Sequence, residues 1–268
     1  MEILLLYLAV YADFSLFFLY NAIMNKCLNC GTESGGKFCP SCGQEMAINR
    51  LEVKTIFHEV THGILHWENS ILKTFRQLLF KPGITAKNYI SGLRKSYVKP
   101  FSYFIFIQTV YVLIFHRMSE KYFAFVNFTV QQSENMKDKV EHMQHLVSAN
   151  INYFNYVMPL SFALLFFLFF KKKYGVNYAE SIAISFYWLG TTLVFGIILM
   201  LLSLISVKVW DARFFVNFVY LTFAILQFTH MPKFKGIIKS FLIIFLSYLI
   251  FILFVGGVLL VYVFVFGY

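Results

Sequence analysis

The sequence predicts an all-α, multi-pass transmembrane helical bundle with a small cysteine-built module ahead of it. Three observations predict this. Apolar runs close to bilayer length recur along the chain. Only 13% of the 268 residues are charged and 59% are hydrophobic, whereas soluble domains carry about 25% charged residues. All four cysteines lie between Cys27 and Cys42, which leaves none for a distant disulfide.

At the N-terminus, Ile3 to Met24 is an apolar run interrupted by Asp13, Ser15 and Asn21. It lacks the basic start of a signal peptide. Residues 1–23 therefore read either as a first transmembrane helix or as sequence ahead of a true start at Met24. The second reading is favoured, because ribbon modules commonly begin a few residues before their first cysteine.

Residues 24–46 read as a zinc ribbon. Cys27-Leu-Asn-Cys30-Gly31 and Cys39-Pro-Ser-Cys42-Gly43 are matched knuckles in the pattern C-x2-C-x8-C-x2-C. A two-residue spacer lets both thiolates of a knuckle face one ion, and four thiolates complete a tetrahedron around Zn2+. The glycine after each second cysteine permits the tight turn. The module has no room for a core, so one structural zinc per chain supplies its folding energy. Four thiolates leave no open position for a substrate, which argues against catalysis at this metal. A redox dithiol is the competing reading of C-x-x-C, but two matched knuckles point to metal. Between Cys27 and Cys42 the charges Glu33 and Lys37 cancel, so no basic face exists for nucleic acid.

Residues 51–100 read as basic amphipathic interfacial helices. Val53, Phe57, Val60, Ile64, Trp67, Ile71, Phe75 and Leu78 recur at helical steps over Leu51 to Phe80. Pro82-Gly83 is expected to make the sharp turn into a second helix, from Thr85 to about Ser96. With eight Lys/Arg against three Glu in 51–100, the segment is expected to lie along lipid headgroups. Tyr89, Tyr97 and Tyr103 suit the headgroup boundary, and Pro100 fits the first turn of a span.

Residues 101–268 read as about five spans: 101–118, 151–170, 181–206, 214–230 and 240–266, each near the ~20 residues needed to cross. Placing 26–100 in the cytoplasm puts 17 of the 23 Lys/Arg inside, as the positive-inside rule requires. The C-terminus then ends outside. No charge falls near the centre of these spans. Gln108, Asn155, Thr191, Thr192 and Gln227 are expected to hydrogen-bond between helices. Gly190, Gly196, Gly256 and Gly257 are expected at close helix contacts.

One constellation looks catalytic. His58-Glu59-Val60-Thr61-His62 matches H-E-x-x-H on an expected helix, where two histidines one turn apart hold zinc and the glutamate acts as general base. His66 extends the row and Glu68 is the nearest downstream carboxylate. The same residues also fit a polar helix face near headgroups, and so short a motif arises easily by chance. His58, Glu59 and His62 stand as candidates, and no catalytic residue is assigned.

The ribbon is followed by Thr74-x-Arg76-x-Leu78-Leu79-x-x-Pro82-Gly83 and Tyr89-Ile90-x-Gly92-x-Arg94-x-x-Tyr97-x-x-Pro100. With these motifs the chain resembles an uncharacterised bacterial family of zinc-ribbon multi-pass membrane proteins, a domain of unknown function. The resemblance covers about residues 24–118 in motif detail. It implies the bacterial cytoplasmic (inner) membrane and no particular activity. The residues themselves favour an integral membrane protein in contact with the lipid bilayer. Its ribbon would serve as an interaction or regulatory module for a cytoplasmic protein partner. The alternatives are a membrane-bound zinc hydrolase using His58, Glu59 and His62, and a transporter or channel for a small or lipidic solute.

Overall fold

The computed structural model describes residues 26–47, 49–54, 70–129, 146 and 149–266. The apolar run over 1–23, Met24, and His58, Glu59, His62, His66 and Glu68 lie outside the described residues. Seven α-helices are described: α1 (Ser70–Phe80), α2 (Pro82–Ile90), α3 (Pro100–Thr129), α4 (Ile151–Tyr174), α5 (Tyr178–Leu202), α6 (Arg213–Thr229) and α7 (Lys233–Phe266). A 3-10 turn, Val207–Ala212, leads into α6. Five of these segments are long and apolar enough to cross a membrane: Pro100–Met118, Tyr153–Tyr174, Tyr178–Leu202, Lys208–Thr229 and Lys233–Tyr262.

Several helices begin or end beyond the apolar runs that predict them. Lys171, Lys172 and Lys173 form the last turn of α4, and α7 starts at Lys233 rather than at Ser240. Lysine is a good helix former, and its long stem can carry the charge out to water. A basic flank therefore ends an apolar run without ending the helix. At the foot of α4 the three lysines also face the negative end of the helix dipole. Gly175, at φ 61°, then closes that helix in the left-handed conformation.

Helix α5 is the axis of the bundle. It packs against α3, α4 and α6, and α7 covers the outer side of α4 and α6. Burial follows this order: 67% of the spanning stretch of α5 is buried, against 17% of that of α7. The core around α5 is aromatic. Trp188 stands edge-on to Phe162, Phe166 and Phe228, with ring centroids 5.5 to 6.2 Å apart. Such edge-to-face contacts add specific geometry to plain apolar burial.

The polar residues expected to bridge helices mostly do so. Asn155 Nδ2 donates to Gln108 Oε1 at 3.2 Å, between α4 and α3. Tyr103 Oη and Thr191 Oγ1 lie 3.1 Å apart, between α3 and α5. Thr192 instead turns back to its own helix, at Leu189 O. Gly190 admits Tyr103 and Gly196 admits Tyr111, whose rings would stand 3.0 and 3.1 Å from an added Cβ. At Gly256 and Gly257 an added Cβ would meet nothing within 4 Å. These two are therefore not contact points, because no residue of α7 from 251 to 260 is buried.

Helix α2 departs from the expected surface helix, whereas α1 keeps Leu72, Lys73, Arg76 and Phe80 exposed. The two helices form a hairpin broken at Lys81 alone, with Pro82 in the first turn of α2. Pro82, Gly83, Thr85, Ala86, Tyr89 and Ile90 are buried, and α2 packs against α6 and α5. Tyr89 and Tyr103 are about 1% exposed and Tyr97 8%, so these rings are packed within protein. Gly83 is not the turn glycine. A Cβ there would lie 2.3 Å from Phe228 N and 2.7 Å from Ala224 O, both backbone atoms of α6. It is needed for close approach.

Four groups complete that approach. Gly83 N–H and Ile84 N–H donate to Gln227 Oε1 at 2.8 and 3.3 Å. Trp188 Nε1 donates to Pro82 O at 3.1 Å, and Tyr220 Oη donates to Leu78 O at 3.0 Å. Gln227 and Tyr220 thus satisfy amides of the first turn of α2 and a carbonyl of the last turn of α1 that a helix break leaves without intrahelical partners.

Candidate metal centre and its clamp on the bundle

Both knuckles fold as their residues dictate. Gly31 and Gly43 take φ values of 75° and 71°, the left-handed region that glycine enters without cost to a side chain. Their amides donate to Cys27 O and Cys39 O, each at 2.8 Å. Cys27 N–H then reaches Thr32 O at 2.9 Å, and Cys39 N–H reaches Gln44 O at 2.8 Å. Antiparallel bridges Lys26 to Glu33 and Phe38 to Glu45 close each turn. The two halves are near copies, so their cysteines converge from opposite sides.

The four Sγ atoms lie within 4.8 Å of one another. Cys27 and Cys42 are 3.6 Å apart, and Cys30 and Cys39 are 3.5 Å apart. Four sulfurs on a tetrahedron with metal–sulfur bonds of 2.3 Å would be separated by about 3.8 Å. The cluster is thus able to hold a metal ion. Burial pushes the Cys27 thiol up to about 11. The Thr32 hydroxyl, 3.2 Å from Cys30 Sγ, brings that thiol down to about 6. Thiolate is the form that binds metal.

The module is fastened to the bundle by side chains that the sequence analysis passed over. Gln44 is 4% exposed. Its Nε2 donates to Gly92 O at 3.1 Å, and its Oε1 accepts from Lys95 N–H at 3.3 Å. One amide therefore grips both sides of the turn between α2 and α3. Ser96 Oγ donates to Asn29 Oδ1, and Arg94 Nη2 donates to Asn49 O at 2.7 Å. Beyond that turn, Val98 N–H donates to Thr74 Oγ1 at 3.0 Å and Val98 O accepts from Tyr187 Oη.

A second fastening lies just after the cysteine module. Arg50 Nε and Nη2 donate to Glu180 Oε1 and Oε2 at 2.7 and 3.0 Å, and Nη2 also reaches Gly175 O. Glu180 is 1% exposed. Its carboxylate also accepts from Asn177 N–H at 2.8 Å, while Asn177 Oδ1 accepts from Glu180 N–H at 2.8 Å. This is a capping box, here at the start of α5. Asn177 Nδ2 donates to Leu51 O at 2.9 Å, and Leu51 is buried in the main core.

Residues 68–112 match the family model described as "Protein of unknown function (DUF3667)". The matched stretch holds α1, α2, the turn that Gln44 grips and the first part of α3. No curated protein and no solved structure matches the chain.

Of the residues named from the sequence, the structure brings Cys27, Cys30, Cys39 and Cys42 together. His58, Glu59 and His62 lie outside the described residues. Gln44 and the Arg50–Glu180 pair were missed. Asn177-x-x-Glu180 carries the N-x-x-E signature of a helix start and was readable. Gln44 and Arg50 carried no such local sign.

Proposed function

We propose that this is an integral membrane protein of the bacterial cytoplasmic membrane, with the ribbon and the α1–α2 hairpin on the cytoplasmic side and the C-terminus outside. Its ribbon holds one structural Zn2+ and acts as a regulatory and interaction module, not as a catalyst. The observation that carries this reading is the two-sided grip of Gln44 on Gly92 and Lys95. It couples the metal-dependent module to the turn that starts the first span. An exposed ribbon fastened in this way can report metal or partner binding to the helices beneath it. A transport path is less well supported, because Trp188, Phe162, Phe166 and Phe228 fill the centre of the described bundle.

The test is amide hydrogen exchange in the purified, detergent-solubilised chain, with and without chelator. Metal removal is expected to raise exchange at Lys95, whose N–H Gln44 holds, while amides within α5 stay protected. Gln44→Leu in the metal-loaded protein should raise the same amide. Unchanged exchange at Lys95 after complete metal removal would refute a coupled module.

A further inference from the structure

Helices α1 and α2, with Tyr97 of the turn that follows, line an open cleft of about 750 Å³. Its polar wall is formed by Lys73, Arg76, Lys81, Gln77, Asn88 and Tyr97. The three cations are exposed, and among the described residues no carboxylate pairs with any of them. Asn88 Nδ2 donates to Tyr97 Oη at 3.1 Å, which leaves the phenol proton free to donate into the cleft. Every charged group on this wall is thus a cation, and the neutral groups add donors.

The rim is apolar. Leu72, Phe80 and Ile84 are 74%, 67% and 39% exposed. Phe80 and Ile84 flank the hairpin elbow, and Pro82 at that elbow bonds Trp188, ten residues into α5. The same elbow meets Gln227 and Phe228, within two residues of the end of α6, and Val98 O, beside the start of α3, accepts from Tyr187 Oη, next to Trp188. The elbow thus stands level with the ends of two spans, where exposed Phe and Ile side chains reach the acyl chains just below the headgroups.

We propose that this cleft is a binding site for an anionic phospholipid of the inner leaflet. The phosphodiester sits among Lys73, Arg76 and Lys81, and the acyl chains run past Phe80 and Ile84. A volume of this size suits a single small ligand or headgroup. Guanidinium takes phosphate oxygens in a fork, while the two ammonium groups act as point charges. The site lies within the stretch that matches the family model. The proposal rests on the reading that the bundle spans a bilayer with the hairpin on its cytoplasmic side.

The test uses the full chain in phosphatidylcholine nanodiscs, titrated with phosphatidylglycerol and followed by native mass spectrometry of retained lipid. The Lys73→Gln/Arg76→Gln/Lys81→Gln variant should bind the lipid about 100-fold more weakly, at roughly 1 kcal/mol per charge. A Lys171→Gln/Lys172→Gln/Lys173→Gln variant removes the same charge from the foot of α4 and should change binding only a few-fold. Equal losses in the two variants would mean diffuse surface attraction and overturn the site, as would no loss in the cleft variant. Glycerol phosphate and inorganic phosphate form separate arms. Binding of either as tight as that of the lipid would assign the cleft to a soluble anion and overturn the lipid. Normal thermal unfolding of the cleft variant in phosphatidylcholine alone confirms that it folds. A chain that stays in aqueous solution without detergent would instead refute the membrane reading.

Discussion

Gly83→Ala is the most direct probe of the hairpin. Its added Cβ would stand 2.3 Å from Phe228 N, where ordinary contact begins at 3.4 Å. The obstructing atoms are backbone of α6, which has no rotamer to yield, so α2 must retreat by roughly 1 Å. Overpacking of this kind costs about 1–3 kcal/mol. Retreat also lengthens the two bonds to Gln227, the shorter of which is 2.8 Å, each worth about 1 kcal/mol. A loss near 3 kcal/mol should lower the unfolding midpoint by roughly 10 °C for a chain of this size. Thermal unfolding in detergent, followed by tryptophan emission, reads it. Trp188 is a built-in reporter, because it is fully buried and its indole N–H is held by Pro82 O. Gly256→Ala is the control: with nothing within 4 Å, it should leave the midpoint unchanged or raise it, since alanine favours helix. A Gly83→Ala midpoint within a degree of the parent would refute the close approach of hairpin and α6.

Two further perturbations address the fastenings and the metal. Glu180→Gln leaves Arg50 facing a neutral partner and weakens the capping box. Because the Arg50 side chain is 42% exposed, the cost should fall below the buried-pair range, at about 2–3 kcal/mol. An Arg50→Met/Glu180→Gln double variant should recover part of it, and strictly additive midpoints would show that the pair is not coupled. Zinc per chain should be one in the parent and none in a Cys27→Ser/Cys30→Ser variant. A parent with two zincs, one of them lost from a His58→Ala/His62→Ala variant, would make the H-E-x-x-H segment a real site.

What could be read in advance follows a physical line. Apolar length shows through composition alone, and each expected span between residues 101 and 266 has its apolar helix in the structure. The knuckles are legible because sulfur spacing and glycine conformation are local. Neutral polar residues inside spans were readable as bridges, since Gln108, Asn155 and Gln227 have few other ways to satisfy their amides in an apolar bundle. The hairpin was not readable. A helix with one apolar stripe has the same periodicity whether the stripe meets lipid or protein, and only the tertiary fold distinguishes the two. Pro82-Gly83 shows the same ambiguity: the dipeptide signals a turn, yet Gly83 is there because α6 passes over it. Gln44 meets Gly92 and Arg50 meets Glu180 across 48 and 130 residues, a separation at which pattern carries no information.

The relative strength of metal and clamp limits what the ribbon can transmit. If the cysteine cluster holds the structural zinc proposed above, its binding is worth about 10–16 kcal/mol to a module with no core of its own, enough to decide whether that module folds at all. Among the described residues the bonds from the cysteine module to the turn are few: two from Gln44 and one between Ser96 and Asn29. At about 1 kcal/mol each, they carry a coupling of about 3 kcal/mol, or on the order of 100-fold in an equilibrium. Loss of metal would therefore unfold the ribbon and release the turn, but leave the aromatic core around Trp188 standing. By reciprocity, any partner that pulls on the turn or the hairpin changes metal affinity by that same factor. A coupling of this size is too small to unfold the bundle, and large enough to shift the hairpin between held and released states.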